Sequence, residues 1–279
     1  MRAGTRWRSI ALQAMKLSTK VKMKLKDKCV IVTGSTTGIG AAIASRFVAE
    51  GARVLVHGTN EERARKMSGE LGDSADYHLD DLSSPEAPRR IVAAAMEKLG
   101  RIDAIVNNAA NNVRCDFGDI DADFFDKVIA INLRTPLLLV QEAREELIKN
   151  QGSVLNVGSV LAYSGQSNLL TYCVSKGGLM TLSRNLANQL TAKGVRVNHV
   201  NVGWTLTDNE YRIKVGDGLP ADWPETLNKQ EAPSGKLIQP EEIAAAAVYW
   251  IGDESRPFAG SVVELEQYPV IGRIPDQQK

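Results

Sequence analysis

The sequence predicts a doubly wound α/β fold, a single mostly parallel, seven-stranded sheet with helices on both faces. Three observations carry that expectation. Apolar runs of strand length alternate with stretches of helical period along nearly the whole chain. Strands among them read as near-continuous apolar runs, which marks strands buried on both faces and hence a parallel sheet. A glycine-rich string, TGSTTGIG at 33–40, joins the first run to the first helix.

In chain order, CVIVTG (29–34) reads as a buried strand running into a turn, and GAAIASRFVAEG (40–51) as a helix closed by Gly51. RVLVHG (53–58) is a second strand. NEERARKMSGELG (60–72) is a helix with Asn60 as its N-cap and Glu61 and Glu62 in the first turn. A third strand falls within 75–82. A helix over 84–100 has Pro85 in its first turn. The fourth strand is 103–110. A single long helix is expected over 121–150, the fifth strand over 153–159 and a second long helix over 170–190. The sixth strand is 195–203, and a helix (240–252) and a last strand (261–266) follow. Residues 204–239 carry Pro, Gly and polar residues with weak periodicity, too many for a plain connection, and read as a functional lid. The expected organisation is a basic extension at 1–25, one catalytic domain at 26–266 and a C-terminal tail at 267–279.

Composition narrows the class. The 279 residues, 43 % hydrophobic and 24 % charged, suit an ordinary globular domain with a sizeable core. No apolar run is long enough to span a bilayer. Cys29, Cys115 and Cys173 are scattered, which argues against a disulfide framework and for a reducing compartment. His57, His78 and His199 show no zinc-site spacing, so no metal is expected. Residues 1–26 carry eight basic side chains and no acid, which leaves the remainder at −7 against the chain's +1. That segment fits an upstream start, with Met15 or Met23 as the true one, a mitochondrial transit peptide, or a nucleic-acid arm. An acidic body repels phosphate backbones, so a nucleic-acid partner is not expected, nor is a membrane. The location expected is cytoplasmic, or the mitochondrial matrix if residues 1–22 are a transit peptide.

The glycine string has the context of a Rossmann dinucleotide site, between a strand and a helix. Gly34 allows the tight turn, Gly38 a close approach to pyrophosphate, and Gly40 close packing of helix on strand. The loop residues Ser35, Thr36, Thr37 and Ile39 present backbone N–H groups with the helix N-terminus behind them. An acid gripping a ribose 2′-hydroxyl should end the second strand, but that end reads His57-Gly58-Thr59. The usual carboxylate that excludes a 2′-phosphate is missing, and Arg63 lies one helical turn beyond. NADP or NAD is expected, with NADP favoured.

The glycine loop, NNAA (107–110), INL (131–133), GSV (158–160) and YCVSK (172–176) occur in this order on the expected strands and helices. Together they resemble the single-domain branch of the short-chain dehydrogenase/reductase family, over residues 26–265. The resemblance implies that Asp81 and Leu82 contact adenine. It implies that the backbone of Asn108, Ala109 and Ala110 runs along the cofactor and that Asn107 supports the sheet. Asn132 would hold a water, Ser159 the substrate oxygen, and Tyr172 would be the general acid/base with Lys176 as partner. Thr59 is expected to contact the cofactor, His57 reads as a ribose contact or a plain strand-end residue, and Gly203 and Thr207 would wrap the nicotinamide end. Three departures stand out. Ala110 replaces the family's last Gly, Val202-Gly203-Trp204 replaces its Pro-Gly, and LEQYPVIGR (265–273) stands where the family often shows Asp-Gly-Gly.

The chemistry is coherent. Moving a hydride between an alcohol carbon and nicotinamide leaves one proton to transfer at oxygen. Tyrosine, with an ordinary pKa near 10, is a poor base at neutral pH, and a neighbouring ammonium is expected to lower that value. Tyr172 and Lys176, four apart, share a helix face. Ser159 can stabilise charge at the substrate oxygen. Substrate contacts are expected from Asn112, Arg114, Tyr163, Gln166, Asn168, Trp204, Tyr211, Arg212 and Trp223, with Ser159, Tyr163, Gln166, Trp204 and Tyr211 foremost. That mix suits a small polyol, sugar or hydroxy acid better than a steroid or acyl chain. The tail residues Tyr268, Pro269 and Ile271 read as interface or plain surface. The long helices resemble those that join subunits in this family, so a homodimer or homotetramer is expected. A noncatalytic dinucleotide-binding regulator is the competing reading, and intact Asn132, Ser159, Tyr172 and Lys176 argue against it.

Overall fold

The computed structural model describes residues 23–271. The basic segment 1–22 and the last eight residues lie outside them. Seven strands, β1 (Cys29–Val32), β2 (Arg53–Gly58), β3 (Ala75–Leu79), β4 (Ala104–Asn107), β5 (Ser153–Ser159), β6 (Arg196–Val202) and β7 (Val262–Leu265), form one sheet in the order β3-β2-β1-β4-β5-β6-β7. Every pairing is parallel. The order reverses between β1 and β4, and a doubly wound sheet opens a crevice at the carboxyl ends of its strands there.

Successive residues of one strand feed two different cores, as the continuous apolar runs require. Ile31, Leu55, Ile105 and Val154 pack with the helices α3 (Ala87–Leu99), α5 (Thr135–Glu142) and α7 (Leu170–Leu190). Val30, Val32, Val54, Val56 and Val106 pack on the other face with α1 (Gly38–Ala49) and α9 (Pro240–Ile251). Burying a side chain such as Ile105 or Phe47 stabilises by about 1.5–3 kcal/mol. Capping follows the sequence. Asn60 accepts from the Arg63 N–H at 2.9 Å to start α2 (Glu61–Leu71). Gln239 and Glu242 close a reciprocal capping box on α9.

The helix expected to run unbroken over 121–150 does not. It begins as α4 (Ala122–Ile129), widens into a π turn (Ala130–Arg134), resumes as α5, breaks at Ala143 and ends as α6 (Arg144–Lys149). Pro136 is the physical reason for the first break. It lacks an N–H, and its ring would collide with the carbonyl four residues back, that of Asn132. The wider turn is seen in the Thr135 N–H, which donates to Ala130. The lid contains a short helix, α8 (Asp208–Gly216), and a turn at Trp223–Glu225. The third helix starts at Ala87, later than expected, with Pro88 in its first turn.

A chain of buried polar side chains crosses the sheet beneath the crevice. Asn107 donates to Asn156 at 2.7 Å, and Asn156 donates to the Ser183 hydroxyl at 2.8 Å. His199 meets Ser183 through Nδ1 at 2.9 Å and Asn201 Oδ1 through Nε2 at 2.8 Å. The Ser159 N–H donates to that same Asn201 oxygen at 3.1 Å. Asn201 Oδ1 can only accept, so His199 Nε2 carries a proton. The single Ser183 hydroxyl hydrogen has two acceptors in reach, the Leu179 carbonyl at 2.7 Å and His199 Nδ1.

Burial pushes both His57 and His199 down to about 4. A depressed imidazole contributes stability that is present above its ordinary value near 6.5 and lost as pH falls towards 4. Each contributes on the order of 3 kcal/mol at most. The urea midpoint should therefore fall steeply between about pH 6.5 and 4, and His199→Gln, which removes one titration, should flatten that slope. Identical slopes for the two proteins would refute the coupling.

Candidate active site

The crevice holds a cleft of about 460 Å³ built around the glycine loop. Gly34 and Gly38 sit at φ +63° and +57°, in the left-handed region where side chains are strained. A Cβ at Gly40 would lie 2.2 Å from the Gly34 carbonyl oxygen, so only glycine lets α1 start this close to β1. Thr37 caps α1 without a side-chain hydrogen bond, and the first turn carries no acid. The N-terminal amides therefore face the cleft with their partial positive charge uncompensated. Asn108 ties the loop to the end of β4, its amide donating to the carbonyls of Thr33 and Gly34 at 2.9 and 3.0 Å.

Of the expected cofactor residues, Gly34, Thr36, Thr37, Gly38, Ile39, Gly40, Thr59, Asp81, Leu82, Asn108, Ala109, Ala110, Tyr172, Lys176 and Thr207 line this cleft. Ser35 does not. Its hydroxyl turns inward, donating to the Val32 carbonyl at 2.6 Å and accepting from the His57 N–H at 3.0 Å, and so braces the loop against β2. Gly203 lies at the neighbouring cavity. His57 lines the cleft with Nδ1 accepting from the Gly34 N–H at 3.3 Å. Its buried Nε2 has no hydrogen-bond partner. Backbone donors at a helix end, a cradle that a Cβ would fill and an orphaned imidazole N–H suit a dinucleotide. Arg63 also lines the cleft, next to Gly58 and Thr59.

The candidate catalytic groups meet where this cleft joins a second cavity of about 430 Å³, and Tyr172 lines both. Ser159, at the end of β5, hydrogen-bonds the Tyr172 phenol and accepts from the Leu161 N–H at 3.1 Å. Lys176, buried one turn further along α7, donates to the Val157 carbonyl at 2.7 Å. Its Nζ is 5.6 Å from the centre of the Tyr172 ring. Asn132 sits in the π turn. Its amide oxygen accepts from the Asn111 N–H at 2.7 Å, and its amide nitrogen donates to the Asn111 carbonyl and to Ser175. It thus clamps the segment after β4 to α7.

The electrostatics differ from the expectation that Lys176 lowers Tyr172. Burial, followed by the charges of Cys173 and Glu210, pushes Tyr172 up to about 12, with the Ser159 hydrogen bond acting the other way. Burial alone pulls Lys176 down to about 8. The lysine is spent on a backbone carbonyl and is itself poorly solvated, so its help to the phenol is small in this arrangement.

The second cavity is the candidate substrate site. Ser159, Gln166, Trp204, Asn112 and Arg114 line it. Tyr163 and Tyr211 do not. Tyr163 reaches Asn201 and Glu264, while Tyr211 donates to the Ala221 carbonyl at 3.1 Å and stacks on Trp223. Trp223 is fully buried and stacks under Trp204, with ring centres 5.4 Å apart. Glu210, Lys214, Glu266 and Tyr268 also line the cavity and were not foreseen as substrate contacts. Thr207-x-x-Glu210 is a capping-box pattern that would have revealed α8. The tail offered no comparable signal. Among the described residues, no group of three or more His, Cys, Asp or Glu could hold a metal ion, and no helix is long and apolar enough to cross a membrane.

Comparison with known proteins gives concordant matches. A family model described as enoyl-(acyl carrier protein) reductase matches residues 34–266. The chain is 32 % identical over 261 residues to a D-threitol dehydrogenase of Mycolicibacterium smegmatis, covering 91 % of this chain and 97 % of that protein. It is 34 % identical over 225 residues to an L-fucose dehydrogenase of Bos taurus, covering 80 % and 82 % respectively. The solved structure of an apo SCOR enzyme from Clostridium thermocellum superposes with a TM-score of 0.75 at 28 % identity, over 85 % of this chain and 90 % of that one. With a family match across most of its length, the same single-sheet fold and the glycine loop and Ser-Tyr-Lys set in place, the chain belongs to the short-chain dehydrogenase/reductase family and is an oxidoreductase acting on CH–OH groups.

Proposed function

We propose that the protein interconverts a secondary hydroxyl and a carbonyl on a small polyol or sugar, with NADP(H) as the preferred hydride carrier. The observation that carries this reading is the position of Tyr172, hydrogen-bonded to Ser159 at the junction of the dinucleotide cleft and a polar cavity. The bound nicotinamide supplies or accepts the hydride. In reduction Tyr172 Oη donates its proton to the substrate oxygen, and in oxidation it takes that proton. With its pKa near 12 the phenol keeps its proton at neutral pH, so the donor is ready for reduction. Oxidation requires a phenolate and gains as pH rises. Ser159 positions the reacting oxygen.

Three lines support the finer points. Arg63, in the first turn of α2, faces the cleft, and the end of β2 carries no carboxylate to repel a 2′-phosphate. The second cavity carries Glu210, Lys214, Arg114 and Glu266, a poor host for a long acyl chain, and the threitol and fucose dehydrogenases are named for polyhydroxylated substrates. Leu137 on α5 and Val174 on α7 are exposed apolar residues on the two helices expected to join subunits, which supports self-association.

Tyr172→Phe should lower turnover by about 10²–10⁴-fold while dinucleotide binding persists, and wild-type turnover in that variant would refute the proton role. Arg63→Ala should weaken NADP(H) about tenfold and leave NAD(H) affinity unchanged, since a charged hydrogen bond to phosphate is worth that much. Equal loss for both dinucleotides would remove the 2′-phosphate reading. In sedimentation, the double variant Leu137→Asp, Val174→Asp should run as a monomer where the wild type runs as a larger species; a monomeric wild type would end that proposal.

A further inference from the structure

Glu210 is an anion placed beside the proton-transfer residue and held there by a device that its local sequence does not require. It stands at the third position of α8, after the Thr207 cap, where a glutamate ordinarily reaches back to the cap's own N–H. The Thr207 hydroxyl makes its half of the box, accepting from the Glu210 N–H at 3.1 Å. The carboxylate is turned away instead, and Oε1 accepts from the Trp204 indole N–H at 2.9 Å. On α9 the equivalent Glu242 does close its box. The indole is fixed in turn, stacked on the buried Trp223 with the planes 15° apart. The cations nearby are otherwise engaged. Lys214 lies over the Trp204 ring at 5.2 Å, and Arg114 pairs with Asp217. Among the described residues Glu210 has no ion-pair partner. It lines the same cavity as Tyr172, and its charge raises the phenol.

A half-buried carboxylate with one oxygen committed offers the other as a strong acceptor, and it repels anions. Building on the proposed polyol or sugar oxidoreduction, we infer that Glu210 sets the substrate class by accepting a hydrogen bond from a second hydroxyl near the reacting carbon. The site then favours neutral vicinal polyols and sugars over hydroxy acids. A hydroxyl donor satisfies the anion, whereas an alkyl group strands it and a carboxylate opposes it.

The test compares wild type, Glu210→Gln and Trp204→Phe on three substrate sets: threitol and ribitol, the aldonic acids of the same carbon count, and simple secondary alcohols lacking a second hydroxyl. Dinucleotide affinity is measured for each protein. The wild type should prefer polyols to aldonates. Glu210→Gln should lose about 10- to 100-fold in kcat/KM on polyols relative to the simple alcohols, mostly through KM, and narrow the discrimination against aldonates. Trp204→Phe keeps the ring stack but releases the carboxylate, and should show a smaller loss in the same direction. Polyol turnover by the wild type with unchanged ratios in Glu210→Gln would overturn the role of Glu210 alone. So would an equal loss on all three sets, or a loss of dinucleotide affinity in both variants, since either marks a structural defect. A wild type that binds dinucleotide but turns over no polyol or sugar would overturn the functional reading itself, and a preference for aldonates would assign the site to Arg114 and Lys214.

Discussion

The site depends on a hydrogen-bond chain that never touches solvent. Asn107, Asn156, Ser183, His199 and Asn201 link β4, β5, α7 and β6 in an unbroken line that ends on the backbone of Ser159. Polar groups buried this deeply are costly unless paired, and Asn107 Oδ1, at the start of the line, is buried without a partner; the links that are made leave few alternative arrangements. It fixes the carboxyl ends of three strands relative to the helix that carries Tyr172. Packing leaves no slack there either, since a Cβ at Gly158 would lie 2.0 Å from the His199 ring nitrogen. The hydrophobic cores hold the sheet together, while this chain sets where Ser159 stands.

The π turn is the second constraint on the same centre. Pro136 withholds one helical hydrogen bond, and the widened turn carries Asn132, whose side chain then closes on Asn111 and Ser175. The segment after β4 that lines the cleft is thereby attached to α7, which carries Tyr172. Breaks of this kind inside helices occur often at functional sites, and here the break has an identifiable cause.

Much of this was legible in the sequence, for definite reasons. Central strands buried on both faces leave near-continuous apolar runs, as in β1, β4 and β5, whereas the edge strands β3 and β7 are only partly buried and were found from the alternation of strands and helices. The glycine loop was legible because φ near +60° at Gly34 and Gly38, and the collision a side chain would make at Gly40, leave no substitute. Tyr172 and Lys176 stood out through the order of five motifs, since a tyrosine and a lysine four apart are by themselves a common pattern. What failed was long-range. Nothing local shows that Ser35 turns inward to His57, or that Tyr163 points towards Asn201 and away from the cavity. Glu266 and Tyr268 reach the cavity only because β7 lies beside β6. The break at Pro136 was readable, since a proline inside a helical pattern is a local signal, but the surrounding apolar periodicity outweighed it.

The electrostatic state of the site follows from its dryness. In water an ammonium four residues away would favour phenolate. Here burial acts on both partners in opposite senses, raising the tyrosine and lowering the lysine, because each charged form lacks solvent. Lys176 is anchored on Val157, and Glu210 adds an opposing charge from the lid. The resting centre thus holds a neutral phenol, well suited to giving a proton and reluctant to take one. Any group that brings positive charge into the cleft, or any hydroxyl that shields Glu210, moves Tyr172 towards phenolate. The protonation of Tyr172 therefore responds to charge brought into either of the two cavities that it lines.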